Sequence, residues 1–242
     1  MYPIIVKEIQ SYFSSLIAYV VISVFLLIVG LFMWIYPNSN VFDFGYANLD
    51  TLFLMAPYIF IFLISAITMK SFSEEYRLGT FELLTTTKVT DMQIVLGKFV
   101  ANFFIVCITL LPTLLYVYTI HHLGAVKGNF DQGATLGSYI GLLLLSTCYI
   151  SIGMFASSLS KNQIISFLLA MAFCYFFYES FKRLSDLQIF GKNGFIIEWL
   201  GIDYHYFSVS RGVIDSRDLL YFFGFVAIFL GCTKWRFSSR LW

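Results

Sequence analysis

Charge is scarce in this chain. Its 242 residues include 15 Lys and Arg and 14 Asp and Glu, or 12% charged, where a soluble domain carries roughly a quarter. A net charge of +1 excludes the broadly basic surface expected of a nucleic-acid binder. Cysteine and histidine are equally sparse. Cys107, Cys148, Cys174 and Cys232 sit in apolar runs with no CxxC spacing, so they read as small buried hydrophobes rather than disulfides or metal ligands. His121, His122 and His205 lack ligand spacing to Asp131 or Asp203, which argues against a metal site. Ser208 and Ser210 have no evident base. The Gly97-Lys98 pair is followed by Phe99, with Met92 five residues before Gly97, so no phosphate-binding loop is present. The chain is therefore expected to hold no catalytic site and no cofactor of its own.

Apolar and aromatic residues take up the space. Hydrophobic residues make up 59%, with 28 Phe and 16 Tyr, and mean hydropathy is +0.81. A bilayer is the solvent this composition suits, and an all-α integral membrane protein is the expected fold class, with residues 1–242 forming a single transmembrane domain. A helix needs roughly 20 apolar residues to cross the hydrocarbon core, and six spans are predicted at about 16–36, 51–69, 99–120, 134–156, 162–181 and 217–235. The first is uncharged, too long for a signal-peptide core, and stops at Pro37, where a helix cannot comfortably continue. Pro57 and Pro112 are expected to kink the second and third. In the fourth, Gly137-x-x-x-Gly141 and Gly153-x-x-x-Ser157 would let another helix approach closely. The fifth and sixth have apolar cores of only 15 residues, 164–178 and 219–233, and must recruit flanking polar residues to cross. Between them, residues 179–218 mix charges with Phe195, Trp199, Tyr204 and Phe207, a pattern that suits interfacial or re-entrant helices.

Lys and Arg set the orientation. With the N-terminus inside, nine fall on the inner side: Lys7, Lys70, Arg77, Lys88, Lys98, Lys161, Lys234, Arg236 and Arg240. Outside, the short loops hold Lys127 alone, while the long segment adds Lys182, Arg183, Lys192, Arg211 and Arg217. Both termini are expected to be cytoplasmic. Residues 70–98 then form the one substantial inner loop. Leu78, Phe81 and Leu84, then Val89, Met92 and Val95, recur at helical spacing among Glu74, Glu75, Arg77, Glu82, Lys88 and Asp91. Gly79 and the Thr85-Thr86-Thr87 run divide the loop into two short helices. Periodicity alone fits either a connector resting on the membrane or a docking surface for a soluble partner.

The loop resembles the signature region of type-2 ATP-binding-cassette (ABC) exporter permeases: paired Glu74-Glu75, then Gly79-Thr80-x-Glu82-Leu83-Leu84, Val89, and Ile94-Val95-x-Gly97-Lys98. Where family members often carry proline, this chain has Lys88. Lys7-Glu8 followed by Tyr12-Phe13 is similar to the family's amphipathic N-terminal elbow helix. Near the far end, Ser210-Arg211-Gly212-Val213-Ile214-Asp215-x-Arg217-Asp218 resembles the stretch entering the last span of gliding-motility permeases and their nitrous-oxide-reductase-maturation relatives.

The resemblance implies a permease subunit, located in a bacterial inner membrane. Residues 74–92 would supply a coupling helix, seated in a groove of a separate cytoplasmic ABC ATPase present in two copies, which holds the ATP and Mg. Glu74, Glu75 and Glu82 would accept cationic groups of that ATPase, and Leu78, Phe81 and Leu84 would be the apolar knobs. The other membrane half would be a second copy or a related subunit with a large external domain. An ion-coupled secondary transporter is the alternative, disfavoured because Lys70, Lys98, Lys161, Glu179 and Lys234 lie at span ends rather than span centres.

Overall fold

The computed structural model describes residues 1–37, 39–44, 48–79, 90–124, 130–186 and 194–238. Regular structure among them is helical throughout: α1 (Tyr2–Ser14), α2 (Leu16–Trp34), the single turn α3 (Val41–Phe44), α4 (Asp50–Thr68), α5 (Lys70–Leu78), α6 (Asp91–Leu110), α7 (Leu114–Leu123), α8 (Gln132–Leu159), α9 (Gln163–Tyr175), α10 (Phe181–Asp186), α11 (Gly194–Trp199), α12 (Ile202–Val209) and α13 (Ser216–Ser238). Six helical stretches are long and apolar enough to cross a membrane: Leu16–Trp34, Asp50–Leu78, Asp91–Leu123, Gln132–Leu159, Gln163–Asp186 and Ser216–Ser238. The protein is thus a multi-pass membrane protein with six apolar helices.

The second and third spans differ from expectation at their loop ends. They run 29 and 33 residues, about 44 and 50 Å at 1.5 Å per residue, well beyond a hydrocarbon core of about 30 Å. Residues 70–78 and 91–98, the two ends of the predicted loop 70–98, are therefore helical extensions of the spans, and residues 80–89 of that loop lie outside the described residues. The two prolines also behave differently. Pro57 sits inside a continuous α4, whereas Pro112 converts Leu111–Thr113 into a tighter three-residue turn between α6 and α7.

The small-residue helix α8 forms the centre, packing against α4, α5, α6, α9, α12 and α13. A Cβ on Gly137 would lie 2.6 Å from the Gly212 Cα, and one on Gly141 would lie 3.0 Å from Val209. At the other end, a Cβ on Gly153 would collide with Thr68. Both predicted small-residue motifs thus mark close approaches, one to the α12–α13 turn and one to α4. Outward faces of α2, α9 and α13 carry bulky apolar side chains such as Leu27, Leu168 and Phe223. Cys148 and Cys174 are buried, Cys107 and Cys232 half-buried, and all four are free thiols.

The segment 179–218 forms short helices. A π-type turn at Phe176–Ser180 carries the fifth span into α10, and α11 and α12 follow. Tyr206 of α12 donates to the Phe53 carbonyl of α4 at 2.7 Å, and Ser138 of α8 donates to the Ser210 carbonyl at 2.6 Å. These bonds fasten the segment to the bundle rather than leaving it as an open loop.

Candidate functional site

The second span leaves the bundle through α5. The backbone stays helical through Met69, between α4 and α5, and Ser157 of α8 braces that point: its Oγ accepts from Phe72 N at 3.0 Å and Ser73 N at 3.2 Å and donates to the Met69 carbonyl at 2.9 Å. Beyond it, α5 buries Lys70, Ser71, Phe72, Ser73 and Glu75 while Glu74 and Arg77 face outward, 4.0 Å apart. Leu78 ends the helix 61% exposed. Gly79 follows at φ +69°, the left-handed conformation that terminates a helix and that glycine adopts without steric cost.

The chain resumes at Thr90. Its hydroxyl accepts from Gln93 N at 3.4 Å, and its own N–H donates to Gln93 Oε1 at 3.2 Å, a reciprocal capping box that starts α6. The Thr90-Asp91-Met92-Gln93 spacing carries this signal in the sequence, where it went unread. Thr90→Ala is expected to cost about 1 kcal/mol, read as a lower denaturant midpoint with unchanged membrane insertion. Asp91 accepts from Ser238 Oγ at 2.8 Å, bringing the end of α13 against the start of α6. Thr80, Phe81, Glu82, Leu84 and Lys88 lie outside the described residues.

The two helical arms are tied at their roots by a charge cluster that sequence spacing does not reveal. Lys98 on α6 has a 3% exposed side chain, with its Nζ 2.8 Å from both Glu8 Oε1 on α1 and Glu75 Oε1 on α5. Lys7, 62% exposed, flanks the same carboxylates at 3.8 and 3.7 Å. The sequence reading grouped Glu75 with Glu74 as an acceptor for ATPase cations; the structure turns Glu75 inward onto Lys98, and Glu74 alone of the two faces out. Partners 90 and 23 residues away meet through tertiary packing, which explains why no local motif shows them.

The N-terminal helix α1 completes this knot. Ile4 packs on Gly97, where a Cβ would lie 3.1 Å away. Tyr12 is buried, and its hydroxyl donates to Asn102 Oδ1 at 2.7 Å, with the Ile67 carbonyl at 3.0 Å. Burial pushes its phenol well above the ordinary range, so it stays a donor. Asn102 Nδ2 donates to Ser71 Oγ at 3.2 Å, and Lys70 Nζ sits 4.2 Å from the Tyr12 ring centre. Phe13 meets Tyr19 edge-on at 6.1 Å. The helix then breaks at Ser15, which is extended at φ −100°, ψ 156°. One side chain of α1 therefore contacts both arms.

At the opposite end, the predicted motif residues form a turn. Arg211 stacks on Phe207 at 3.9 Å, Gly212 at φ +83° makes the close approach to α8, and Asp215 Oδ1 accepts from Arg217 N at 3.0 Å. That backbone N–H, aided by the Arg217 charge and Ser216, holds the Asp215 carboxyl below its usual range. Asp218 meets His205 Nδ1 at 2.7 Å, while His205 Nε2 lies 2.9 Å from the Trp199 carbonyl and the ring stacks on Tyr221 at 3.9 Å. Both ring nitrogens thus lie within hydrogen-bond distance of a partner, Asp218 on one side and the Trp199 carbonyl on the other. Sequence reasoning left His205 unassigned, because its partners are 13 residues on and a backbone carbonyl.

This geometry gives a bundle whose second and third spans project as one braced pair of arms. Among known proteins, residues 35–200 match the family model described as ABC-2 family transporter protein. No curated protein matches the chain. Permeases of this family are membrane components of ABC transporters and normally work with an ATPase subunit. With more than half of its length matched, the chain belongs to the ABC-2 family of transporter membrane proteins.

Proposed function

We propose that the chain is the permease half of an ABC exporter whose arms, α5 and the start of α6, carry a coupling segment at 74–92 into a groove of a separate cytoplasmic ATPase. The observation that carries this reading is the helix Asp50–Leu78, which runs from the bundle core to an exposed apolar tip at Leu78. ATP-driven closure of two ATPase copies would draw the two coupling segments together. The braced root, with Glu8 and Glu75 on Lys98, would make the second and third spans and the elbow tilt as one body. Ile4 of α1 and Ser238 of α13 both pack near the start of α6, and the positive-inside count favours the cytoplasm for that side of the bundle. The other half of the complex is a second copy or a membrane subunit with a large external domain. The motif Arg211 to Asp218 favours a gliding-motility or associated secretion role, as export or as force transmitted to that external partner.

Two substitutions test the coupling. Glu82→Lys and Phe81→Ala are each expected to abolish permease-dependent stimulation of ATP hydrolysis in the co-purified complex while leaving membrane insertion intact. Normal stimulation by both variants would remove the coupling reading. Co-purification from native membranes, with identification of every retained subunit, separates a homodimer from a two-permease assembly.

A further inference from the structure

Two clefts adjoin at the head of the last span. The larger, about 960 Å³, is walled by charged and aromatic side chains of α10, α11, α12 and the start of α13, among them Lys182, Glu198, Trp199, Asp203, Asp215 and Arg217. The smaller, about 380 Å³, is an apolar groove between the fifth and sixth spans, bounded by Phe177, Phe181, Leu200, Leu220, Phe225 and Ile228, with Gly224 at its floor. Residues consecutive in the chain line the two: Phe181 and Lys182, Trp199 and Leu200. The groove follows α13 from Leu220 to Ile228, about 12 Å of helix, which fits within one leaflet of a hydrocarbon core about 30 Å thick. A polar cleft thus lies beside an open apolar groove of about one leaflet's depth.

Charge pairing within the polar cleft selects the ligand. Lys182 is paired with Asp203 at 3.0 Å, and Asp218 is hydrogen-bonded to His205 at 2.7 Å. Arg217, Glu198 and Asp215 also line it, one cation beside two carboxylates, with Asp215 Oδ1 already holding the Arg217 N–H. Such a set matches a phosphate next to an ammonium group, and the aromatic faces of Trp199 and Tyr204 add attraction for the ammonium. An anionic head lacking an amine would meet an excess of carboxylate. An apolar helix from a second copy would fill the groove and leave the three charges unmatched.

We propose that the two clefts form one binding site for a zwitterionic, amine-bearing phospholipid, with the head in the charged cleft and an acyl chain in the groove over Gly224. The site deepens none of the coupling argument and stands without it. A Cβ at Gly224 meets nothing within 4 Å, so Gly224→Leu fills the groove without displacing the backbone.

The test uses the full chain in nanodiscs of equal phosphatidylethanolamine and phosphatidylglycerol, with native mass spectrometry of the lipid it retains after release into detergent. Phosphatidylethanolamine is expected to be enriched about threefold or more, the factor one exposed ion pair supplies. Gly224→Leu should lose that enrichment at unchanged helicity and melting temperature, and Glu198→Gln should reduce it. Equal retention of both lipids overturns the head assignment. Unchanged enrichment in Gly224→Leu overturns the groove, and a change of oligomeric state in that variant makes a second copy the occupant instead. No ATPase enters the measurement, so these outcomes leave the coupling reading to its own test.

Discussion

Lys98→Ala is expected to destabilise the protein by about 3–5 kcal/mol, because removing one partner of a buried ion pair strands the other charge. Here two carboxylates are stranded at once, Glu8 and Glu75, each 2.8 Å from the lost ammonium and each about a tenth exposed. Lys7 is too exposed and too distant, at 3.7 and 3.8 Å, to replace it. Glu75 Oε2 already lacks a hydrogen-bond partner among the described residues, so the cluster has no spare donor to recruit. Chemical denaturation in mild detergent gives the magnitude, and hydrogen exchange gives the location: protection should fall in α1, α5 and the first two turns of α6 before it falls in α8. Adding Glu8→Gln and Glu75→Gln to Lys98→Met should recover most of the loss, since no bare charge then remains. A loss under about 1 kcal/mol, the scale of an exposed pair, would mean that water reaches the cluster and that the arms are not braced.

Residue types carried the architecture and left the tertiary polar contacts hidden. Six long apolar runs separated by polar breaks located the six spans, and the positions at which small residues approach a neighbour were legible in Gly137, Gly141, Gly153 and Ser157. The helical spacing of 70–98 was legible, but the burial of its charges was not: Lys70, Glu75 and Lys98 are buried against partners far along the chain. The capping box at Thr90 was available to local reading; the Glu8–Lys98–Glu75 cluster was not, because only folding brings α1, α5 and α6 together. The Glu8–Lys98–Glu75 triad lies at the roots of the arms rather than at a span centre, and family membership adds to the reasons that disfavour an ion-coupled carrier.

Gly212→Ala should cost about 2–4 kcal/mol, summing the penalty of a left-handed backbone for a residue with a Cβ and that of overpacking a close contact. Gly212 sits at φ +83°, and its added methyl would press on the Ala134 backbone, while Gly137 faces it from the same turn of α8. Neither neighbour is the free end of a flexible side chain, so relief requires α12 and the start of α13 to lift from α8. That movement would break the Ser138 to Ser210 bond and pull Tyr206 from the Phe53 carbonyl. Hydrogen exchange should therefore report loss of protection in 202–220 with α1 and α5 unchanged, the reverse of the Lys98→Ala pattern. Gly231→Ala supplies the control, for a Cβ there meets nothing within 4 Å and helix propensity favours alanine by up to about 1 kcal/mol. If Gly212→Ala and Gly231→Ala melt alike, the turn is not packed on α8 as described, and α12 has no fixed seat on the bundle.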